Sequence, residues 1–140
     1  MGKAGVKGVV LVVSFWVLSC ISLFAQNNAN IWYFGDYAGI DFNSGSQVAL
    51  TNSAMFQHEG CATISDNFGN LLFYTNGMEI WNANHSLMPN GTGLMGDPSA
   101  AQSGVIVPNP GDPDIYYVFT VVCQAGCMFL WPLTVMNRAE

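Results

Sequence analysis

The chain has 140 residues, of which 51% are hydrophobic and only 9% charged, and it carries a formal net charge of −6. That charged fraction lies far below the ~25% of an ordinary soluble domain, so the polar surface must come from Asn, Ser, Thr and Gly. The only basic residues are Lys3, Lys7 and Arg138, which excludes nucleic acid as a partner, because phosphate binding needs clustered Lys and Arg.

The first element is an export signal over 1–25. Lys3 and Lys7 form a positive n-region, and Val9 to Leu18 is an apolar run. The run is too short for a standard transmembrane helix and reads as a signal helix. Three fates are open to it. Cleavage after Ala25, in Leu23-Phe24-Ala25-Gln26, is the preferred reading. Alternatively, Val17-Leu18-Ser19-Cys20 resembles a lipobox, and Cys20 is then the candidate lipidation site. An uncleaved anchor is the third. The expected location is exported: periplasm, cell surface or extracellular. Membrane contact is expected only through the signal segment or a lipid on Cys20.

Residues 26–140 read as a succession of short strands. Gln26 to Asn30 is polar and loose. Ile31 to Phe34 is an aromatic strand, Gly35 to Gly39 a turn, Ile40 to Phe42 a strand, Asn43 to Ser46 a turn, and Val48 to Leu50 a further short strand. Thr51 to Glu59 is a loop or a crossover. Cys61 to Ser65 is a strand, and Asp66-Asn67-Phe68-Gly69-Asn70 is a turn of residues that tolerate positive φ. Leu71 to Thr75 follows as a strand, Asn76-Gly77 as a two-residue hairpin signal, and Met78 to Asn82 as the next strand. His85 to Met88 is a short outer strand and Pro89 to Ser103 a long loop. Gly104 to Val107 and Ile115 to Val122 are strands around the proline-rich turn Asn109 to Asp114. Met128 to Val135 is the last strand, which Pro132 either cuts or confines to a sheet edge. Export permits disulfides. Cys123 and Cys127 flank Gln124-Ala125-Gly126, a hairpin-like loop that a disulfide between them would close. Cys61 reads as a buried free thiol.

The strands recur. Leu71-Leu72-Phe73-Tyr74-Thr75 returns 45 residues later as Tyr116-Tyr117-Val118-Phe119-Thr120. Gly60-Cys61-Ala62-Thr63-Ile64 aligns with Gly104-Val105-Ile106-Val107, 43 to 44 residues on. Trp32-Tyr33-Phe34 precedes Ile40-Asp41-Phe42-Asn43 as Leu72-Phe73-Tyr74 precedes Ile80-Trp81-Asn82, at a spacing of 40. A period of ~40–45 residues made of short strands marks propeller blades. Since a complete ring needs ~4–8 blades, the expected fold is all-β: an incomplete WD40-like β-propeller of about two to three blades. Strands such as Leu71 to Phe73, apolar on both faces, suit blades packed between neighbours. An unclosed ring leaves strand edges and apolar faces open to aggregation.

A series of segments carries a resemblance: Asn30-Ile31-Trp32-Tyr33-Phe34-Gly35, Gly39-Ile40-Asp41-Phe42-Asn43, Glu59-Gly60-Cys61-Ala62-Thr63-Ile64-Ser65-Asp66, Gly69-Asn70-Leu71-Leu72-Phe73-Tyr74-Thr75 and Met88-Pro89-Asn90-Gly91-Thr92-Gly93-Leu94. Over about Asn30 to Val122 the chain resembles the N-terminal region of large secreted Bacteroidetes surface proteins. Those proteins carry PKD-type repeats and a gliding-motility-associated, type IX secretion sorting domain. The resemblance implies a WD40-like propeller region and a cell-surface role in adhesion or gliding. The chain departs from the family at Trp131-Pro132-Leu133-Thr134-Val135-Met136-Asn137-Arg138, and it holds neither PKD repeats nor a sorting domain. A truncated product is one expectation, and a short variant that pairs with another chain is the other.

Chemistry-bearing groups are sparse. His58-Glu59 beside Cys61 is the nearest approach to an activated thiol, but a three-residue separation along a strand puts His58 and Cys61 on opposite faces. Asp66 to Asn70 and Asp112-Pro113-Asp114 offer oxygen ligands of the kind calcium takes, yet they read as Asx turns. Trp32, Tyr33, Tyr74, Trp81, Tyr116 and Tyr117 read as packing between blades ahead of a sugar platform. No catalytic, cofactor or metal site is expected. The favoured function is a non-catalytic surface module for an unidentified glycan or protein ligand. The alternatives are a glycan-active propeller hydrolase, with Glu59, Glu79, Asp66 and Asp97 as its candidate carboxylates, and a truncated product with no independent function.

Overall fold

The structure, a computed structural model, describes residues 27–121 together with the backbone of 130–137. The expected export signal over 1–25 with Cys20, and the expected disulfide between Cys123 and Cys127, lie outside the described residues. What is described is all-β, with one short 3-10 turn, Asn27–Ala29, and ten strands. The strands form three antiparallel meanders. Sheet I is β1 (Ile31–Phe34), β2 (Ala38–Asp41) and β3 (Val48–Leu50). Sheet II is β4 (Ala62–Ser65), β5 (Leu71–Thr75), β6 (Glu79–Asn82) and β7 (Leu87–Thr92). Sheet III is β8 (Gly104–Pro108), β9 (Ile115–Val121) and β10 (Leu130–Asn137).

The sheets stack in chain order because the strands of sheet II are apolar on both sides. Side chains alternate across a strand, so Phe73 and Tyr74 point in opposite directions. Phe73 joins Ile64, Ile80 and Met88 in a core shared with Tyr116 and Val118 of sheet III. Tyr74 joins Trp81 in a second core shared with Ile31 and Tyr33 of sheet I and with Met55. Met55 belongs to the segment joining sheets I and II, which fills the wedge between them. Asp36 and Phe56 form an antiparallel bridge, and the Tyr37 N–H donates to the Met55 carbonyl at 3.0 Å.

Several elements differ from the sequence reading. The polar start is docked: Asn28 Nδ2 donates to the Ser65 carbonyl at 3.1 Å, and the Trp32 indole donates to the Ala29 carbonyl at 2.7 Å. The outer strand of sheet II starts later and runs longer, as Leu87–Thr92; His85 in the turn before it and Asn90 within it both adopt positive φ. Asn76-Gly77 does not make a two-residue hairpin. Thr75 pairs with Ile80, and Asn76 Oδ1 instead accepts the N–H groups of Met78 and Glu79 at 3.0 and 2.8 Å. Pro132 does not cut its strand, which runs through it as Leu130–Asn137; it sits instead in an end strand of sheet III, where the register shifts between Trp131 and Thr134.

The repeat also changes register. A spacing of 45 equates Phe73 with Val118, but Val118 faces back into the core shared with the preceding sheet II, as Tyr74 faces back into the core shared with sheet I. Tyr74 and Val118 are 44 apart, and one residue exchanges the faces of a strand. The 40-residue echo equates the first strand of sheet I with the second of sheet II, so it reflects strand character rather than position.

Gly77 lies where the long loop before β8 folds back. It has φ +84, and a Cβ there would collide with the backbone of Ser103. Gly93 has φ +73 but open space around it. Gly93→Ala is therefore expected to cost only the left-handed penalty of about 1–2 kcal/mol, and Gly77→Ala clearly more. Denaturant midpoints of the two variants check this, and equal losses would contradict the packing of that loop.

Candidate functional site

The three sheets approach one another most closely along their first strands, β1 with β4 and β4 with β8. Each of these is the end strand of its sheet, so three unpaired edges converge. They border a cavity of about 440 Å³ lined by Trp32, Phe34, Cys61, Thr63, Gln102 and Val105, among others. Unpaired strand edges leave N–H and C=O groups to satisfy, and Thr63 satisfies two of them. The Tyr33 N–H donates to Thr63 Oγ1 at 2.9 Å, and that hydroxyl donates back to the Tyr33 carbonyl at 3.3 Å. Cys61 Sγ donates to the same carbonyl at 3.4 Å. A residue of β4 thus holds the edge of β1 without extending the sheet.

Beside this cavity a polar relay ties sheet I to sheet II. The Tyr33 hydroxyl donates to Asn52 Oδ1 at 3.0 Å. Asn52 Nδ2 lies 2.7 Å from His85 Nε2, and His85 Nδ1 lies 3.1 Å from the Tyr74 hydroxyl. With Asn52 donating to Nε2, the ring proton is assigned to Nδ1, where it points at the Tyr74 oxygen. That oxygen also accepts the Ala54 N–H at 3.0 Å. The rings pack as closely as the hydrogen bonds connect. Tyr33 and Tyr74 have centroids 4.7 Å apart, and Trp81 stacks on Tyr74 at 5.5 Å and 17°. His85 reaches this position because the Asn82 side chain caps the turn, accepting the N–H groups of Asn84 and Ser86 at 3.0 and 3.1 Å.

Burial dominates the acid–base behaviour of the two phenols and of Cys61. It pushes the Tyr74 phenol above the ordinary tyrosine range, with the Ala54 N–H and Ser53 only partly offsetting it. It raises Tyr33 likewise, against the hydrogen bond to Asn52. It also raises the Cys61 thiol, with the Gly35 backbone opposing. A raised thiol is a poor nucleophile at neutral pH.

The sequence candidates are scattered. His58 is exposed and sits edge-on to Phe56 at 5.0 Å, while Cys61 turns to the Tyr33 carbonyl. Asp66 serves its own turn: Oδ1 accepts the N–H groups of Phe68 and Asn70 at 2.8 and 2.9 Å, and Oδ2 accepts Asn70 Nδ2 at 3.0 Å. Asp112 Oδ1 accepts the Asp114 N–H at 3.0 Å. Both are the Asx turns expected. Asp97 accepts the Ser99 N–H at 2.8 Å in the loop before β8, Glu59 lies in the segment before β4, and Glu79 opens β6. The four carboxylates proposed for glycan hydrolysis thus stand in four different segments, and none lines the cavity. Tyr33, Tyr74, Trp81 and Tyr116 are buried packing residues, as expected, but Trp32 is 51% exposed. Asn52 and His85, which complete the relay, carry no local sequence signal, because their contact spans 33 residues.

Set against models of known protein families, characterised proteins and solved structures, the chain matches none.

The raised phenols give a pH dependence of definite sign. The folded state holds its phenol protons to higher pH than the unfolded chain does, so unfolding releases them earlier. The phenols' contribution to stability is expected to be constant below the ordinary tyrosine value of about 10 and to be lost as pH climbs past it. Tyr74→Phe should lower stability by about 1–3 kcal/mol at neutral pH, because it leaves the buried partners of the hydroxyl unsatisfied. It should also weaken the alkaline decline. Denaturant titrations from neutral pH to about pH 11 read both effects, and an unchanged alkaline decline in the variant would contradict the assignment.

Proposed function

We propose that this chain supplies non-catalytic blades of an exported bacterial cell-surface protein, with its three meanders acting as successive blades of a WD40-like propeller. The observation that carries the reading is the convergence of the outer edges of the first strands β1, β4 and β8 on one cavity. Radial sheets that meet along their first strands around a central channel are the propeller arrangement. The stacking of both faces of sheet II against neighbours supports it further. The export signal over 1–25 and the resemblance to Bacteroidetes secreted surface proteins give the cellular setting, with adhesion or gliding as the role. The ligand class is a surface glycan or protein.

The test is expression of the full chain in a Gram-negative host, followed by intact-mass analysis and a panel of polysaccharide substrates. The expected result is an extracytoplasmic product that begins at Gln26 or carries lipid on Cys20, and no hydrolysis. An unprocessed cytoplasmic product would contradict export. Hydrolysis that disappears in Glu59→Ala or Glu79→Ala would overturn the non-catalytic reading.

A further inference from the structure

β1 comes first in its sheet but does not stand where the first strands of the other two sheets stand. Chain direction separates them. The start of β4 lies against the start of β8, where the Gly60 N–H donates to the Ala100 carbonyl at 3.0 Å, and further along Ile106 packs on the core that holds Ile64. β4 and β8 therefore run the same way. β1 runs the other way: Asn28, ahead of it, bonds to Ser65 at the end of β4, while Tyr33, late in it, takes Cys61 from the start of β4. Packing agrees with direction. Tyr33 meets Tyr74 of β5 at 4.7 Å, and Phe73 of β5 meets Tyr116 of β9 at 5.4 Å. β1 thus answers to β5 and β9, the second strands of sheets II and III. The 40-residue echo of β5 in β1 fits this match of packing, although the two strands hold different places in their sheets. The inner edges of β5 and β9 are covered by β4 and β8, whereas the inner edge of β1 carries no strand among the described residues.

Substitutes hold that edge. The Phe42 N–H donates to the Asn30 carbonyl at 2.8 Å, so Asn30, Trp32 and Phe34 turn their backbone groups to β2, and Ile31, Tyr33 and Gly35 turn theirs outward. The Thr63 hydroxyl and Cys61 Sγ share the Tyr33 carbonyl at 3.3 and 3.4 Å, and the Gln57 N–H donates to the Gly35 carbonyl at 3.0 Å. In sheets II and III the corresponding partners are the backbones of β4 and β8. Those two strands define what fits. Ala62-Thr63-Ile64-Ser65 and Gly104-Val105-Ile106-Val107-Pro108 are short, uncharged and rich in β-branched residues. The cavity beside the edge has no charged residue in its lining. Beyond it the chain is acidic, with a net charge of −6, and its only basic residues are Lys3, Lys7 and Arg138, all outside 27–121. A strand flanked by Lys or Arg is therefore favoured over one flanked by Asp or Glu.

We propose that the inner edge of β1 is a strand-addition site. An uncharged, β-branched segment of a partner polypeptide, with basic flanks, pairs antiparallel to β1, displaces the Thr63 hydroxyl and gives sheet I the four strands of sheet II. Main-chain hydrogen bonds supply the affinity, and alternate side chains of the added strand supply the specificity. This rests on the propeller reading of the sheets but not on export or on the absence of catalysis.

The test is fluorescence anisotropy of the full chain in mild detergent with a labelled synthetic peptide that copies Ser103–Pro108 and carries lysines at both ends. In sheet III the Ser103 carbonyl accepts the Val121 N–H at 3.2 Å, so Val105 and Val107 also turn their backbone groups to β9, and Ile106 turns away. The peptide is expected to bind. N-methylation of its backbone at the positions of Val105 and Val107 should abolish binding, and N-methylation at the position of Ile106 should leave it. Thr63→Val keeps the shape of the side chain and removes the substitute bonds, so this variant should bind the peptide about 3–10-fold more tightly, the worth of one ordinary hydrogen bond. Hydrogen exchange of the Ile31 amide should slow when the peptide is added. Failure of the peptide to bind the parent would overturn the site, as would equal binding of the two N-methylated forms. Protection that appears in β3 or β7 instead of at Ile31 would overturn it as well. A dimer of the chain that protects Ile31 without peptide would also overturn it, because a second copy is then the occupant. A chain that ignores the peptide but is still exported and inert toward polysaccharides removes the strand site while leaving the proposed function in place.

Discussion

The fold depends on one strand having two apolar faces. In most antiparallel sheets one face meets the core and the other meets water. In β5 the neighbours Phe73 and Tyr74 are 3% and 0% exposed, and they point into different cores. Sheet II must therefore be covered on both sides, and neither sheet I nor sheet III can be removed without opening one of these cores. The stacking order, the convergence of the first strands and the cavity between them all follow from that double burial.

Polar groups then make the stacking specific. Apolar faces can slide over one another with little penalty, whereas a hydrogen-bond relay is satisfied in one geometry only. Tyr74 illustrates the division of labour. Its ring contributes area between Tyr33 and Trp81, and its hydroxyl engages Ala54 and His85. Thr63 performs the same service at the edge of β1, where a single side chain both accepts from and donates to the backbone of Tyr33. These contacts join residues 20 and 30 positions apart, so they fix how sheet I sits on sheet II without lengthening either.

Much of this was legible in the sequence. Short β-branched and aromatic runs bounded by turn residues located nine strands to within a few residues, and the apolar character of Leu71 to Phe73 on both faces anticipated the burial of sheet II. The Asp66 turn was legible because its hydrogen bonds are local. What the sequence hid was long-range or off by one residue. Asn76-Gly77 carries a hairpin signature, but the buried Asn76 side chain caps the turn and widens it. The repeat spacing was legible to within one residue, yet that residue decides whether Val118 corresponds to Phe73 or to Tyr74. The relay through Asn52 and His85 was invisible, because two loop residues acquire meaning only when the sheets come together.

The most direct test of double burial is residue-resolved native-state hydrogen exchange, which measures local opening free energies along the chain. The amides of Phe73, Tyr74 and Thr75 should exchange only through global unfolding, more slowly than those of β3 and β7 at the outer ends of their sheets. Exchange of β5 as fast as those outer strands would mean that sheet II is not held between two neighbours, and the stacked arrangement would have to be abandoned.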